Sequence, residues 1–352
     1  MNTQNPKRSI RKSYFITIIS AIIGALFLIV VTGGFNQEDT TISKTLDEQK
    51  TPEINLDDSW PREVKVFNGT ISITKKPQRI LTASVGHDEL TVSLVNLERL
   101  VGVAGITKDP TYSNVASLVK NIPEVDRDPE NIVALNPDII VTSQYFPEES
   151  IKRLNDLKIT VVQTELAANI KDQITNILLL GYIYGEENRA EVLSAEINKR
   201  YEYIQSITAD KSQEQKKKVA SITRYSDQIW TAGSNSTEGM IIDAAGGINV
   251  ASTSGIIGNA TTSIEGLIRM EPEIIIITQP KEFGGSELRD DLMTSDVTKQ
   301  IPAVMKNQIY FMETKHFTTL SFWNIRGIEE LAKILWPDQV EEQTFGGFSL
   351  PK

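Results

Sequence analysis

"ENIVALNPDIIV" occupies residues 130–141, and "EGLIRMEPEIII" occupies residues 265–276. Aligned without gaps, four of the twelve positions are identical and five more keep their chemical type. The offset is 135 residues (265 minus 130), well beyond the roughly 20–50 residues of a solenoid repeat. Both copies begin with a glutamate.

Each copy carries the same local signals. In the first, Asp128 suits a helix cap, Pro129 the first helical position, and Glu130 falls in the first turn. In the second, Ser263 caps and Glu265 falls in the first turn. Each helix ends at an X-Pro step, Asn136-Pro137 or Glu271-Pro272, and an apolar strand follows. The unit reads as helix–turn–strand, present once in each of two α/β lobes.

The surroundings agree. "RILTA" (79–83), "LVGVAG" (100–105), "DIIVTS" (138–143) and "TVVQT" (160–164) read as strands with helical patterns between them. The second half repeats this with "KVASIT" (218–223), "EIIIIT" (273–278) and "QIYFME" (308–313). Such alternation argues for parallel βαβ units, and the absence of in–out alternation fits sheets covered on both faces. Between the halves, residues 169–185 and then 186–211 read as helices, Gly185 ending or kinking the first. The second would span about 40 Å and suits a stiff spacer between lobes.

Geometry then places the glutamates. In a parallel α/β sheet, helices start at the carboxyl edge of the strands, where ligands bind. Glu130 and Glu265 are expected at that edge of their own lobes, flanking the mouth of a shared cleft. One acidic residue in a first turn is explained by the helix dipole alone, worth about 0.3–1 kcal/mol. The same register in both halves favours a further role.

The chain has 352 residues, 40% hydrophobic and 23% charged, with a net charge of −10. That balance argues against nucleic acid as a partner. There is no cysteine, which excludes disulfides, thiol catalysis, iron–sulfur clusters and a lipidated cysteine anchor. Lys7, Arg8, Arg11 and Lys12 precede "YFITIISAIIGALFLIVV" (14–31), and no charge occurs from Ser13 to Gln37. The span suits a transmembrane anchor with its basic flank cytoplasmic; a cleaved signal peptide is the competing reading. Either places the body outside the cytoplasm. Polar, acidic residues 36–59 read as a flexible tether. The expected organisation is 1–35 basic flank and anchor or signal, 36–59 tether, 60–165 N-terminal lobe, 166–211 linking helices, 212–340 C-terminal lobe and 341–352 tail.

Residues 60–337 resemble the substrate-binding proteins of ABC importers that serve iron–siderophores, haem and cobalamin. The matching segments are "KPQRILTAS" (76–84), "LVGVAG" (100–105), "DPENIVALNPDIIVTS" (128–143), "TAGSNSTEGMIIDAAGGINVA" (231–251) and "SIEGLIRMEPEIIIIT" (263–278). Their order and spacing carry the resemblance. It implies two Rossmann-like lobes with parallel sheets, bridged by one long helix that resists bending. It also implies that one glutamate per lobe, here Glu130 and Glu265, pairs with arginines of the ABC permease. Many relatives are anchored through a lipidated cysteine. Without one, this chain is expected to use the N-terminal helix, or no anchor after cleavage.

Residues just past the strand ends are expected to line the cleft: Ser84, His87, Thr107, Tyr112, Gln144, Tyr145 and Phe146 in one lobe; Arg224, Tyr225, Trp230, Gln279, Lys281, His316, Phe317 and Trp323 in the other. Aromatics with a few polar groups suit a large, partly apolar metal chelate, and Arg224 suits an anionic one. His87 and His316, one per lobe, are candidate metal contacts; the alternative is two isolated polar residues at loop–helix junctions. "GSNSTEG" (233–239) lacks a nucleophile elbow and is expected to cap a helix at Ser236 or Thr237. The resulting expectation is a non-enzymatic, monomeric solute receptor with no cofactor of its own. Alternatives are a membrane-anchored sensory ectodomain and a chelatase-like enzyme.

Overall fold

The structure, a computed structural model, describes residues 59–125, 128–167, 169–341, 348, 350 and 351. The apolar N-terminal segment and nearly all of the tether lie outside the described residues. Among the described residues no helix is long and apolar enough to cross a membrane.

The two copies of the opening motif belong to two different sheets. After a hairpin of β1 (Arg62–Val66) and β2 (Gly69–Ile73), the first lobe contributes β3 (Ile80–Thr82), β4 (Leu100–Ala104), β5 (Glu124–Val125), β6 (Ile139–Ser143) and β7 (Thr160–Thr164). They form a parallel sheet in the order β5-β4-β3-β6-β7. Counting helices longer than one turn, α1 (Val85–Leu94), α2 (Pro129–Ala134) and α3 (Glu148–Asp156) connect them.

Two helices, α4 (Ile170–Tyr184) and α5 (Glu187–Thr208), then join the lobes. Gly185 caps α4 with φ 66°, and its N–H donates to carbonyls of the last turn. A Cβ on Gly181 would stand 2.4 Å from Ala190 Cβ, so glycine is required where the helices cross. Helix α5 touches both lobes: Arg189 donates to the Leu94 carbonyl at 3.0 Å, and Gln205 to the Ala244 carbonyl at 2.9 Å.

The second lobe contains β8 (Lys218–Tyr225), β9 (Gln228–Ala232), α6 (Thr237–Ala244), β10 (Ile248–Asn249), β11 (Asn259–Thr262), α7 (Ile264–Met270), β12 (Ile274–Ile277), α8 (Gly285–Thr294), β13 (Ile309–Phe311) and α9 (Asn324–Leu335). Its sheet runs β11-β9-β8-β12-β13, with β10 beside β8. This sheet is mixed, which corrects the expectation of two parallel sheets: β9 is antiparallel to both β8 and β11. The cause is the two-residue turn Ser226-Asp227, whose φ values of 47° and 62° are both left-handed. Such a turn folds the strand straight back as a hairpin. Strands β8, β11, β12 and β13 still share one direction.

Alternate strand residues feed different cores. Ile274 and Ile276 enter a core that also holds Ile80, Ile139 and Val141 of the first lobe and Ile177, Ile183 and Ile197 of the linking helices. Ile275 and Ile277 face a separate core in the second lobe, and Leu81 and Ile140 a separate one in the first. Apolar packing is therefore continuous between the lobes on the side of the linking helices. The same core takes in Phe348: its ring meets Phe322 and Trp323 edge-on at 4.8 and 4.9 Å, and the Arg200 guanidinium lies 4.4 Å from its centroid.

Candidate ligand cleft and its two acidic corners

The duplicated motif forms as its sequence dictates. Asp128 Oδ1 accepts from Glu130 N at 3.0 Å, and Ser263 Oγ from Gly266 N at 3.1 Å. Glu130 and Glu265 each stand two residues after the cap, exposed. The helix-terminal residues before the prolines are both left-handed, Asn136 with φ 47° and Glu271 with φ 48°. Each helix leaves the carboxyl end of an edge strand, β5 in one lobe and β11 in the other. Glu265 lies close to its own N–H and the Ser263 hydroxyl, which hold its carboxyl below the usual range.

The two carboxyl edges meet. Helix α1 follows β3, the loop at Thr319–Ser321 follows β13, and Glu89 of α1 bonds both Thr319 Oγ1 at 2.6 Å and Ser321 Oγ at 2.5 Å.

On the second-lobe rim, Gln279 accepts from Arg224 N at 2.8 Å and donates to the Phe283 carbonyl at 2.5 Å. Lys281 Nζ lies 4.9 Å from the Phe311 ring centroid. Arg224 shares its charge with Asp291 at 2.6 Å. Phe283 is 45% exposed beyond the end of β12, and Tyr145 is 41% exposed beyond the end of β6. Tyr112, Gln144 and Tyr225 are half-buried at strand ends or in adjoining loops, whereas Trp230 stands mid-way along β9, paired with Thr223 and Thr261, which corrects its expected place past a strand end; burial, then Asp109, pushes the Tyr112 hydroxyl pKa up.

Several expected cleft residues turn inward. His87 is fully buried: Nδ1 meets Ser84 Oγ at 2.8 Å and Nε2 meets Thr164 Oγ1 at 2.7 Å. Burial pulls its pKa down to about 3, so the ring is neutral and both nitrogens are occupied. This corrects its reading as a cleft-facing metal contact, and Ser84 serves it rather than the cleft. Thr107 is buried against the Asp88 carboxylate. Phe146 and Phe317 are 4% and 0% exposed in the cores. Trp323 is buried in the core shared by the lobes and stacks on Phe322 at 5.5 Å. His316 is held through Nδ1 by Glu330 Oε1 at 2.6 Å. No cluster of three or more His, Asp or Glu that could hold a metal ion occurs among the described residues.

Residues 82–315 match the profile of the family described as periplasmic binding protein. The chain belongs to the periplasmic binding protein family. The uncharacterized ABC transporter substrate-binding lipoprotein YvrC of Bacillus subtilis is 24% identical over 328 residues, covering 92% of this chain and 99% of its own. The cobalamin-binding protein of Halobacterium salinarum is 22% identical over 260 residues, 72% of this chain and 68% of its own. The solved structure of the periplasmic haem-binding protein HutB of Vibrio cholerae superposes with a TM-score of 0.64 at 22% identity, over 74% of this chain and 99% of that one. That last likeness is one of fold.

The periplasmic binding protein match ends before the Thr319–Ser321 loop and α9. Three features escape a reading of strand ends alone. Phe283 sits in "KEFGG", where an aromatic between charged and glycine residues is a signal for an exposed loop ring. Asp88 and Glu89 follow His87 directly, and three ionisable residues in succession open an otherwise apolar helix. Glu238 is also buried, which raises its pKa to about 7. It lines a cavity of about 10 Å³ with Ser221, Thr223, Trp230 and Asn259, room for roughly one water.

Proposed function

We propose that this chain is an extracytoplasmic substrate-binding protein of an ABC importer, not an enzyme. It captures a metal chelate between its lobes, an iron–siderophore first and haem or cobalamin next, and delivers it to a permease. The observation that carries this reading is the pair of exposed glutamates, Glu130 and Glu265, in identical helical register at matching corners of two lobes. Two like charges fixed at the carboxyl edges suit a two-point contact with basic residues of a two-fold permease. The relatives support the ligand class: an ABC substrate-binding lipoprotein, a cobalamin-binding protein and a haem-binding protein. The exposed rings of Tyr145 and Phe283 give the rim apolar surface for a chelate too large to be wrapped by charges alone. The N-terminal apolar span, uncleaved, would hold the receptor beside its permease, with residues 36–59 as tether.

Native mass spectrometry of the protein purified from its own host tests this. The expected result is a one-to-one complex with a metal-containing mass. A protein that carries no such mass, and that binds neither ferric siderophores, haemin nor cobalamin on titration, contradicts it.

A further inference from the structure

Helix α1 carries His87, Asp88 and Glu89 in succession, all fully buried. At about 100° per residue they leave the helix in three directions. His87 reaches β7 through Thr164, and Asp88 reaches the end of β4, accepting from Ala104 N at 3.0 Å and from Thr107. Both partners lie in the first lobe.

Glu89 alone leaves its lobe. Its Oε1 accepts from Asn114 N at 2.7 Å and Asn114 Nδ2 at 2.8 Å, while Oε2 accepts from Thr319 and Ser321 of the second lobe. Asn114 Nδ2 also donates to the Lys315 carbonyl at 3.1 Å, a second crossing at the same spot. Four donors therefore serve one carboxylate, and no cation figures among the groups acting on it. A buried carboxylate is tolerated when hydrogen bonds occupy its lone pairs; here half of those bonds come from the far lobe. Separation of the lobes would strip Oε2 of both donors.

The backbone is fitted to the same contact. A Cβ on Gly86 would stand 3.0 Å from the Leu320 carbonyl oxygen, so the start of α1 is seated directly on the 319–321 loop. Further along, Gln173 of α4 donates to Asn324 Oδ1 at 2.9 Å.

We infer that Glu89 is a positioning residue that fixes the inter-lobe gap before ligand arrives, by tying α1 to the Thr319–Ser321 loop. The linking helices restrain the lobes at the back; the Glu89 tie restrains them at the floor of the gap. The inference takes from the proposed function only that the gap is where ligand binds, and its test needs no ligand.

The chain has no cysteine, so Lys152→Cys and Asp290→Cys, both exposed and one in each lobe, give a unique spin-label pair. Double electron–electron resonance on the ligand-free protein then reads the lobe-to-lobe distance. The expected result is a narrow distribution for the labelled parent. Glu89→Ala should shift it to longer distance and broaden it, and so should the double variant Thr319→Val/Ser321→Ala. Asp88→Asn, buried on the same helix but bonded within one lobe, should leave it unchanged. If Glu89→Ala does not fold, the Thr319/Ser321 variant decides alone. An unaltered distribution in the folded variants overturns the inference, as does equal broadening by Asp88→Asn. Failure of the protein to bind any chelate would count against the proposed function while leaving the distance result standing.

Discussion

Glu130 and Glu265 occupy the same helical position, two residues past the cap, each on a helix that leaves the carboxyl end of the outermost strand of its sheet. The sheets reach this placement by different routes. In the first lobe strands β3 to β7 are all parallel; in the second, a hairpin reverses the chain at β9, and β10 and β11 run again in the common direction. Different paths converging on the same corner make the corner, rather than the path, the feature held in common.

The turn that closes each motif is strained in a way that can be measured. Glu271 sits at φ 48° and ψ 52°, a left-handed conformation that costs a residue with a Cβ about 1 kcal/mol or slightly more. Its contact with Lys218 is exposed and 3.5 Å long, so little is lost with the side chain. Glu271→Gly should raise stability by about 0.5–1 kcal/mol, and Glu271→Val should lower it by a similar amount or more. Urea denaturation midpoints at constant slope check both.

Adjacent buried groups on α1 should titrate against each other. His87, pulled down to about 3 from 6.5, favours the folded state above pH 6.5, and that stability is lost as pH falls toward 3. Asp88, raised to about 7 from 3.8 chiefly by burial, has the opposite sign. Its contribution is present below pH 3.8 and lost as pH rises through 7. Relative to the parent, Asp88→Asn should gain stability as pH rises from 4 to 7, and His87→Asn should gain it as pH falls from 6.5 to 4. The slope is bounded by about 1.4 kcal/mol per pH unit. Thermal unfolding of both variants across that range reads the sign directly; parallel curves for both would contradict the burial argument.

The exposed rim rings should matter for ligand and not for stability. Tyr145 and Phe283 are 41% and 45% exposed, so truncation removes little packing. Tyr145→Ala and Phe283→Ala are each expected to weaken chelate binding by about tenfold, the effect of roughly 1.4 kcal/mol of lost contact. The melting temperature should stay within about a degree. Isothermal titration beside differential scanning calorimetry separates the two effects.

The motif was legible because caps, Pro129 and the X-Pro steps are local signals whose physics does not depend on the rest of the fold. Strands such as the one holding Ile274–Ile277 were legible from apolar runs alone. Strand β11, "NATT", was not: it is polar and half-exposed, and only its pairing with β9 makes it a strand. The Ser226-Asp227 turn lacks the glycine that usually announces a left-handed hairpin, so the reversal of β9 left no clear mark. Side-chain direction was the other gap. His87, Phe146 and Phe317 all lie just past strand ends, yet on a helix or tight turn a shift of one residue turns a side chain by about 100°, from the gap into the core. The cross-lobe bonds of Glu89 depend on residues some 230 positions away, beyond any local reading.

The docking assignment of Glu130 and Glu265 is tested most directly by the double variant Glu130→Ala/Glu265→Ala, expressed in the native host in place of the parent. Both side chains are exposed, so folding and chelate affinity in the purified protein should match the parent. Uptake of the labelled chelate by the cells should fall to the level of a strain lacking the receptor. Uptake at the parent rate by a variant that binds ligand normally would contradict the account.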